Sequence, residues 1–277
     1  MNLVINATSK RIIEAAFHSW AHALLLTGPE GVGLTTIALH YVKEDGSQVV
    51  TVQPEKDEKV NTVDGVITAA LIRQLYTLTS TVEPTGRTVI IESAGRMTVP
   101  AQNAFLKLLE EPPEKTRFVL LSHQTEKLLR TITSRSQHLT VRRVTKAQSE
   151  ALLDTLTIRD ATKRSQLLFI AEGLPAALTR LATDEAAFSQ RSEYIKDARS
   201  YILGTSYDKL LIAYKYKDDR QGALTLLSDA MRLLRLSIST TNEAPSLHYI
   251  TRLEQLSTRI AQQGNIRLQL SAGVSVV

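Results

Sequence analysis

Three observations predict an α/β fold with a parallel sheet in the first half of the chain and an all-helical second half. Short apolar segments, ALLLT (23–27), VVTVQP (49–54), TVIIES (88–93) and RFVLLS (117–122), alternate with amphipathic stretches, the pattern of strands buried on both faces by crossover helices. A glycine-rich turn, GPEGVGLTT (28–36), sits between the first strand and a helix. After about residue 143 the strand-like segments stop, and apolar residues recur every three or four positions through six successive stretches, as helices require.

Taken in order, SKRIIEAAFHSWAH (9–22) predicts a helix with Ile12, Ile13, Ala16, Phe17 and Trp20 on its apolar side and Ser9 as N-cap. ALLLT then runs straight into the glycine turn, and TTIALHYVK (35–43) continues as a helix. VDGVITAALIRQLYTLTS (63–80) reads as an amphipathic helix between the second and third strands, closed by the turn EPTGR (83–87). VPAQNAFLKLLEEPP (99–113) is a helix stopped by a Pro pair, and EKLLRTITSR (126–135) a short helix leading to HLTVRRV (138–144).

Composition removes several classes of chemistry. The chain has 277 residues with no Cys, so thiolate nucleophiles, disulfides and Cys-based zinc or iron–sulfur sites are excluded. Its six His residues are scattered and form no HExxH pattern. No apolar stretch approaches the roughly 20 residues of a membrane helix, and MNLVINATSK (1–10) lacks a signal-peptide core, so a soluble cytoplasmic protein without membrane contact is expected. A net charge of +5, with the positive excess in the middle and at the C-terminal end, is compatible with nucleic acid.

The glycine turn matches G-x-x-x-x-G-K-[ST] at Gly28, Gly33 and Thr35, with Gly31 inside it and Thr36 after it, but Leu34 occupies the Lys position. In that pattern backbone N–H groups wrap the phosphates, the Lys reaches the β and γ phosphates, and the hydroxyl holds Mg²⁺. An acid at the end of a neighbouring strand holds the metal and a second carboxylate polarises water. Here Glu92 ends the strand, and Ser93, which cannot act as a base, takes the second place. A glycine turn that only packs a helix on a sheet, and a structural Glu92, are the plain alternatives.

HALLLTGPEGVGLTT (22–36), the block VIIESAGRMTVPAQNAFLKLLEEPPEKTRFVLLSHQTEKLLRTITSRSQHLTV (89–141) and AEGLPAAL (171–178) resemble the clamp loader subunits of bacterial DNA polymerase III, members of the AAA+ superfamily. The resemblance implies a RecA-like domain with a degenerate phosphate loop over 1–143, a small helical lid over 144–187 and a helical collar over 188–277. It also implies γ/τ and delta subunits, the sliding clamp and primer–template DNA as partners. Within that family the γ/τ subunits hydrolyse ATP and the delta-prime subunit generally does not; Leu34 and Ser93 imply the delta-prime type, with no required cofactor, ATP or ADP binding in doubt, and no zinc.

The family's SRC motif, whose Arg reaches the γ-phosphate held by a neighbour, is matched by Ser134-Arg135-Ser136, which makes Arg135 the expected arginine finger in trans. Three departures matter. Ser136 replaces the Cys, Ala176 stands at the sensor-arginine position, and the four-Cys zinc module is absent or replaced by an uncharged connection within 44–62. Glu110 and Glu111 read as a helix-end turn rather than a catalytic pair. Lys107, Arg130, Arg142 and Arg143 are placed to meet DNA phosphates or simply to face solvent. Two rivals stay open: an ATP-hydrolysing γ/τ-type subunit, and a stand-alone interaction or DNA-binding protein on the same fold.

Overall fold

The computed structural model describes residues 3–19, 21–62, 64–241 and 245–273, with 238–241 and 245–247 by backbone alone. The chain divides into two compact units, Met1–Thr183 and Asp184–Val277. Trp20, expected on the apolar side of the first helix, lies outside the described residues.

In the first unit β1 (Ala23–Thr27), β2 (Gln48–Val52), β5 (Arg87–Ile91), β6 (Thr116–Ser122) and β7 (Gln137–Thr140) form a parallel sheet in the order β2-β5-β6-β1-β7. The strand period of two sorts its side chains between two cores. Leu25, Val89, Ile91, Phe118 and Leu120 face α3 (Ala69–Thr79) and α4 (Val99–Glu110), while Leu24, Leu26, Ile90, Val119 and Leu121 face α1 (Ala7–His18) and α2 (Leu34–Asp45). Phe105 and Phe118 meet edge to face at 5.2 Å on the first side.

The Arg117 side chain is fully enclosed. The Arg117 guanidinium donates to Thr88 Oγ1 (3.0 Å), Phe17 O (3.3 Å) and Asp45 Oδ2 (2.9 Å) and lies over the Phe17 ring. Burial lowers its pKa from the ordinary value, and Asp45 opposes the shift. This network ties β6 to β5, α1 and α2, and it satisfies a buried charge with hydrogen bonds as such a charge requires.

Several expectations are corrected by local chemistry. Asn6, not Ser9, caps α1 by accepting from Thr8 N. Ser9 is buried, donating to Thr140 O and accepting from Arg142 N, which fastens α1 beside β7. Ile12 is exposed, so the buried stripe of α1 is Ser9, Ile13, Ala16 and Phe17. Residues 126–135 do not form one helix: a 3₁₀ turn (Thr125–Lys127) precedes a four-residue α5 (Arg130–Thr133). The expected uncharged connection is instead a charged hairpin, β3 (Glu55–Lys56) and β4 (Lys59–Val60). Its turn residues Asp57 and Glu58 both have positive φ, the geometry of a type I′ turn reached without the usual glycine.

The helices α6 (Lys146–Thr155), α7 (Ala161–Ala171) and α8 (Pro175–Thr183) belong to the first unit. Among the described residues the second unit is helical throughout: α9 (Glu185–Leu203), α10 (Ser206–Lys215), α11 (Arg220–Thr241), α12 (Pro245–Ala261) and α13 (Ile266–Ala272). Its core gathers Tyr201, Leu226, Leu227, Leu253 and Ile260. The Tyr201 hydroxyl donates to Leu270 O at 2.6 Å, and Arg191 pairs with the buried Asp229.

Candidate nucleotide loop and arginine site

The glycine loop joins the C-terminal end of β1 to the N-terminus of α2, as a phosphate cradle does. Gly31 and Gly33 have φ of 85° and 94°, a region that glycine enters without strain. Gly28 lies so near β7 that a Cβ there would stand 2.7 Å from Val141 O. Gly33 caps α2 without a side-chain bond, so the first-turn N–H groups of α2 point toward the loop. Thr35 is half-buried and Thr36 exposed.

Leu34 is only 3% exposed and belongs to the core cluster with Val32, Ile13, Ala16 and Ile37. The Lys position of the pattern is therefore an interior position here. The loop is also covered from the other side. Ala177 N donates to Gly31 O at 3.0 Å, a Cβ on Gly31 would stand 2.8 Å from Ala177 Cβ, and a Cβ on Gly33 would stand 3.4 Å from Ala176 Cβ. Leu174 packs on the same core cluster. The start of α8 rests directly on the two glycines.

Glu92 follows β5 and is half-buried, with Oε2 accepting from Gln53 Nε2 at 3.1 Å. Ser93 has φ 50° and opens a 3₁₀ turn (Ala94–Arg96). A residue not expected at the site is His123, directly after β6, whose Nδ1 is 2.7 Å from Gly28 O. A carbonyl only accepts, so Nδ1 carries the proton. The signal available in the sequence was position: a polar residue ending the strand that pairs with β1 must stand beside the loop.

His18 and His22 stand four residues apart, the spacing of helical metal pairs, but α1 ends at His18. Among the described residues no group of three or more His, Cys, Asp or Glu is arranged to hold a metal ion.

Arg135 lies at the other end of the sheet. It follows α5 and precedes β7, whose first residue Gln137 pairs with Leu24 at the start of β1. The glycine loop leaves the far end of that strand, so the three rises from Leu24 to Thr27, about 10 Å of β1, lie between them. Ser134 and Ser136 donate to Thr131 O and Ile132 O, closing the turn that presents Arg135. The guanidinium is 39% exposed; Nη1 donates to Thr131 O (3.2 Å) and Nη2 lies 3.0 Å from Glu110 Oε1.

Buried Gln102 holds this region in register. Its Nε2 donates to Met97 O (3.1 Å) and Lys127 O (3.0 Å), and its Oε1 accepts from Leu129 N (2.7 Å). Of the basic residues considered for DNA, Arg143 pairs with Glu172, while Lys107, Arg130 and Arg142 are exposed.

A parallel sheet of this order, with a glycine loop after β1, makes this a RecA-like α/β fold. Similar folds are seen in a DNA polymerase III gamma subunit-related protein of Thermotoga maritima (TM-score 0.52, 21% identity, covering 97% of this chain and 98% of that one). They are seen also in a RuvB mutant of T. maritima (TM-score 0.54, 14% identity, 72% and 77%). Residues 43–145 match the family described as DNA polymerase III, delta subunit. DNA polymerase III subunit delta′ of Pseudomonas aeruginosa is 30% identical over 209 residues, 66% of this chain and 62% of its own length. DNA polymerase III subunits delta′ of Bacillus subtilis and Haemophilus influenzae are similar too, 30% identical over 161 residues (56% of this chain, 48% of its own length) and 29% over 151 residues (53% and 45%). The chain spans just under two thirds of the P. aeruginosa relative's length.

Proposed function

We propose that this chain is a non-hydrolysing, delta-prime-type subunit of a DNA polymerase III clamp loader. It helps to place the sliding clamp on primed DNA and offers Arg135 to the ATP site of an adjacent γ/τ subunit. The observation that carries this reading is the separation of the two halves of an ATPase site on one sheet: Arg135 lies at the opposite end of β1 from its own glycine loop. A guanidinium so placed has no route to a phosphate in its own loop. If it meets one, the phosphate is held by another chain.

Two further features support the absence of hydrolysis in cis. Leu34 fills a core position where the Lys would project, and Ala176 and Ala177 of α8 lie against Gly33 and Gly31. The loop thus serves as packing between α2 and α8. The partners on this reading are γ/τ and delta subunits, the clamp and primer–template DNA; no nucleotide or zinc is required of this chain, and the site of action is the cytoplasm. In the three-domain division of this reading, 1–143 is the RecA-like domain, 144–187 the lid and 188–277 the collar.

The test has two arms. The isolated chain is titrated with ATP and assayed for hydrolysis, with none expected. It is then mixed with γ/τ and delta subunits of its organism and run on a sizing column, where a joint complex is expected. Hydrolysis by the isolated chain would favour the γ/τ-type reading. Failure to join the complex would favour a stand-alone protein on the same fold.

A further inference from the structure

The half-exposed Glu110 is the one acid paired with Arg135 among the ion pairs of the described residues. We propose that Glu110 is a built-in competitor for the finger: its carboxylate holds the Arg135 guanidinium in the free chain and must release it before Arg135 can meet a neighbour's phosphate. This inference rests on the reading of Arg135 as a finger in trans.

The acid sits where its own helix disfavours it. Glu110 is the last residue of α4 and Glu111 its C-cap, so both charges stand beside unpaired carbonyls at the negative end of the helix dipole. Arg135 relieves that repulsion for Glu110, with Nη2 at 3.0 Å from Oε1. The two residues come from different elements, α4 and the turn after α5. Gln102 fixes their relative register from within the core through Met97, Lys127 and Leu129. The pairing is therefore set by the framework rather than by a chance meeting of two long side chains.

Carboxylate and phosphate are alternative ligands for the same guanidinium fork. With Nη1 turned to Thr131 O and Nη2 to Glu110, two of the five N–H donors of the guanidinium draw it toward the chain's own surface, and extending the side chain outward to an anion takes Nη2 off Glu110. Both partners are well exposed, at 39% and 51% of their side chains, so the hold is weak: pairs of this kind shift an equilibrium by roughly 1.4- to 5-fold. A neighbour's nucleotide, offering several charged oxygens, displaces it. Glu110 thus biases the finger toward the chain's own surface until the subunit interface is made.

The experiment measures ATP hydrolysis by the partner ATPase with this chain added as wild type, Glu110→Gln, Glu110→Asp, Arg135→Ala or Glu110→Gln/Arg135→Ala. With Glu110→Gln, half-maximal stimulation is expected at about 1.4- to 5-fold lower concentration of this chain, with an unchanged maximal rate. The gain shrinks as salt screens the pair. Glu110→Asp is expected to stay near wild type, and the double variant to match Arg135→Ala. A Glu110→Gln protein that stimulates as wild type does, or that lowers the maximal rate, overturns the proposal while leaving the finger intact. If Arg135→Ala stimulates fully, the finger reading itself has failed and the competitor role goes with it.

Discussion

Leu34→Lys restores the consensus residue of the phosphate loop, and the structure predicts that it damages the protein instead of reviving a nucleotide site. Leu34 is 3% exposed among Val32, Ile13, Ala16 and Ile37. Removing a buried Leu side chain forfeits about 1.5–3 kcal/mol of burial, and truncation to Ala with a residual cavity costs about 2–5 kcal/mol. A Lys at the same place either buries its ammonium, which is more costly still, or bends its stem toward the loop and leaves the cavity. Leu34→Lys and Leu34→Ala are therefore both expected to lose about 2–5 kcal/mol in urea denaturation. In a unit of this size each kcal/mol lowers Tm by roughly 2–4 °C. ATP is expected to give neither variant any thermal protection. A Leu34→Lys protein within about 0.5 kcal/mol of wild type, or one whose Tm rises with ATP, would mean instead that the position opens onto a working cradle.

Two other perturbations probe the same framework. Gly31→Ala places a Cβ 2.8 Å from Ala177 Cβ at a φ of 85°, so a loss of about 1–3 kcal/mol is expected; Ala177→Gly in the same chain should recover the part due to the clash but not the part due to φ. At high pH, burial followed by Glu14 and Glu44 pushes the Tyr41 hydroxyl from 10.0 up to about 12. A raised folded pKa gives stability that is complete below the unfolded value and is lost as pH climbs through the folded one. Stability is expected to fall between about pH 10 and 12, and Tyr41→Phe to flatten that part of a urea-midpoint profile.

Much of the fold was legible because the sheet is buried on both faces. Apolar segments such as ALLLT and RFVLLS have no polar alternation to confuse them, and the glycine loop marks where β1 ends. The β3–β4 hairpin was not legible, since its turn uses Asp57 and Glu58 in left-handed conformations with no Asn-Gly signal. Ser9 resembled a cap because caps and buried hydroxyls share a residue type; only the approach of Thr140 and Arg142 from the far side of the chain decides between them. At the site, the sequence carried the loop, Glu92 and Arg135 as separate marks. That Leu34 faces inward, that α8 lies on the glycines, and that Glu110 meets Arg135 depend on long-range packing, which periodicity does not encode.

On the proposed function, this chain acts on a nucleotide that it does not hold. The most direct measurement is steady-state ATP hydrolysis by the reconstituted γ/τ-containing loader with wild-type chain or with Arg135→Ala, alongside the chain alone. No hydrolysis alone, stimulation in the mixture, and a loss of about 10³-fold or more of the finger-dependent rate on Arg135→Ala is the predicted result. Equal stimulation by wild type and Arg135→Ala, in an assembled complex, would contradict it.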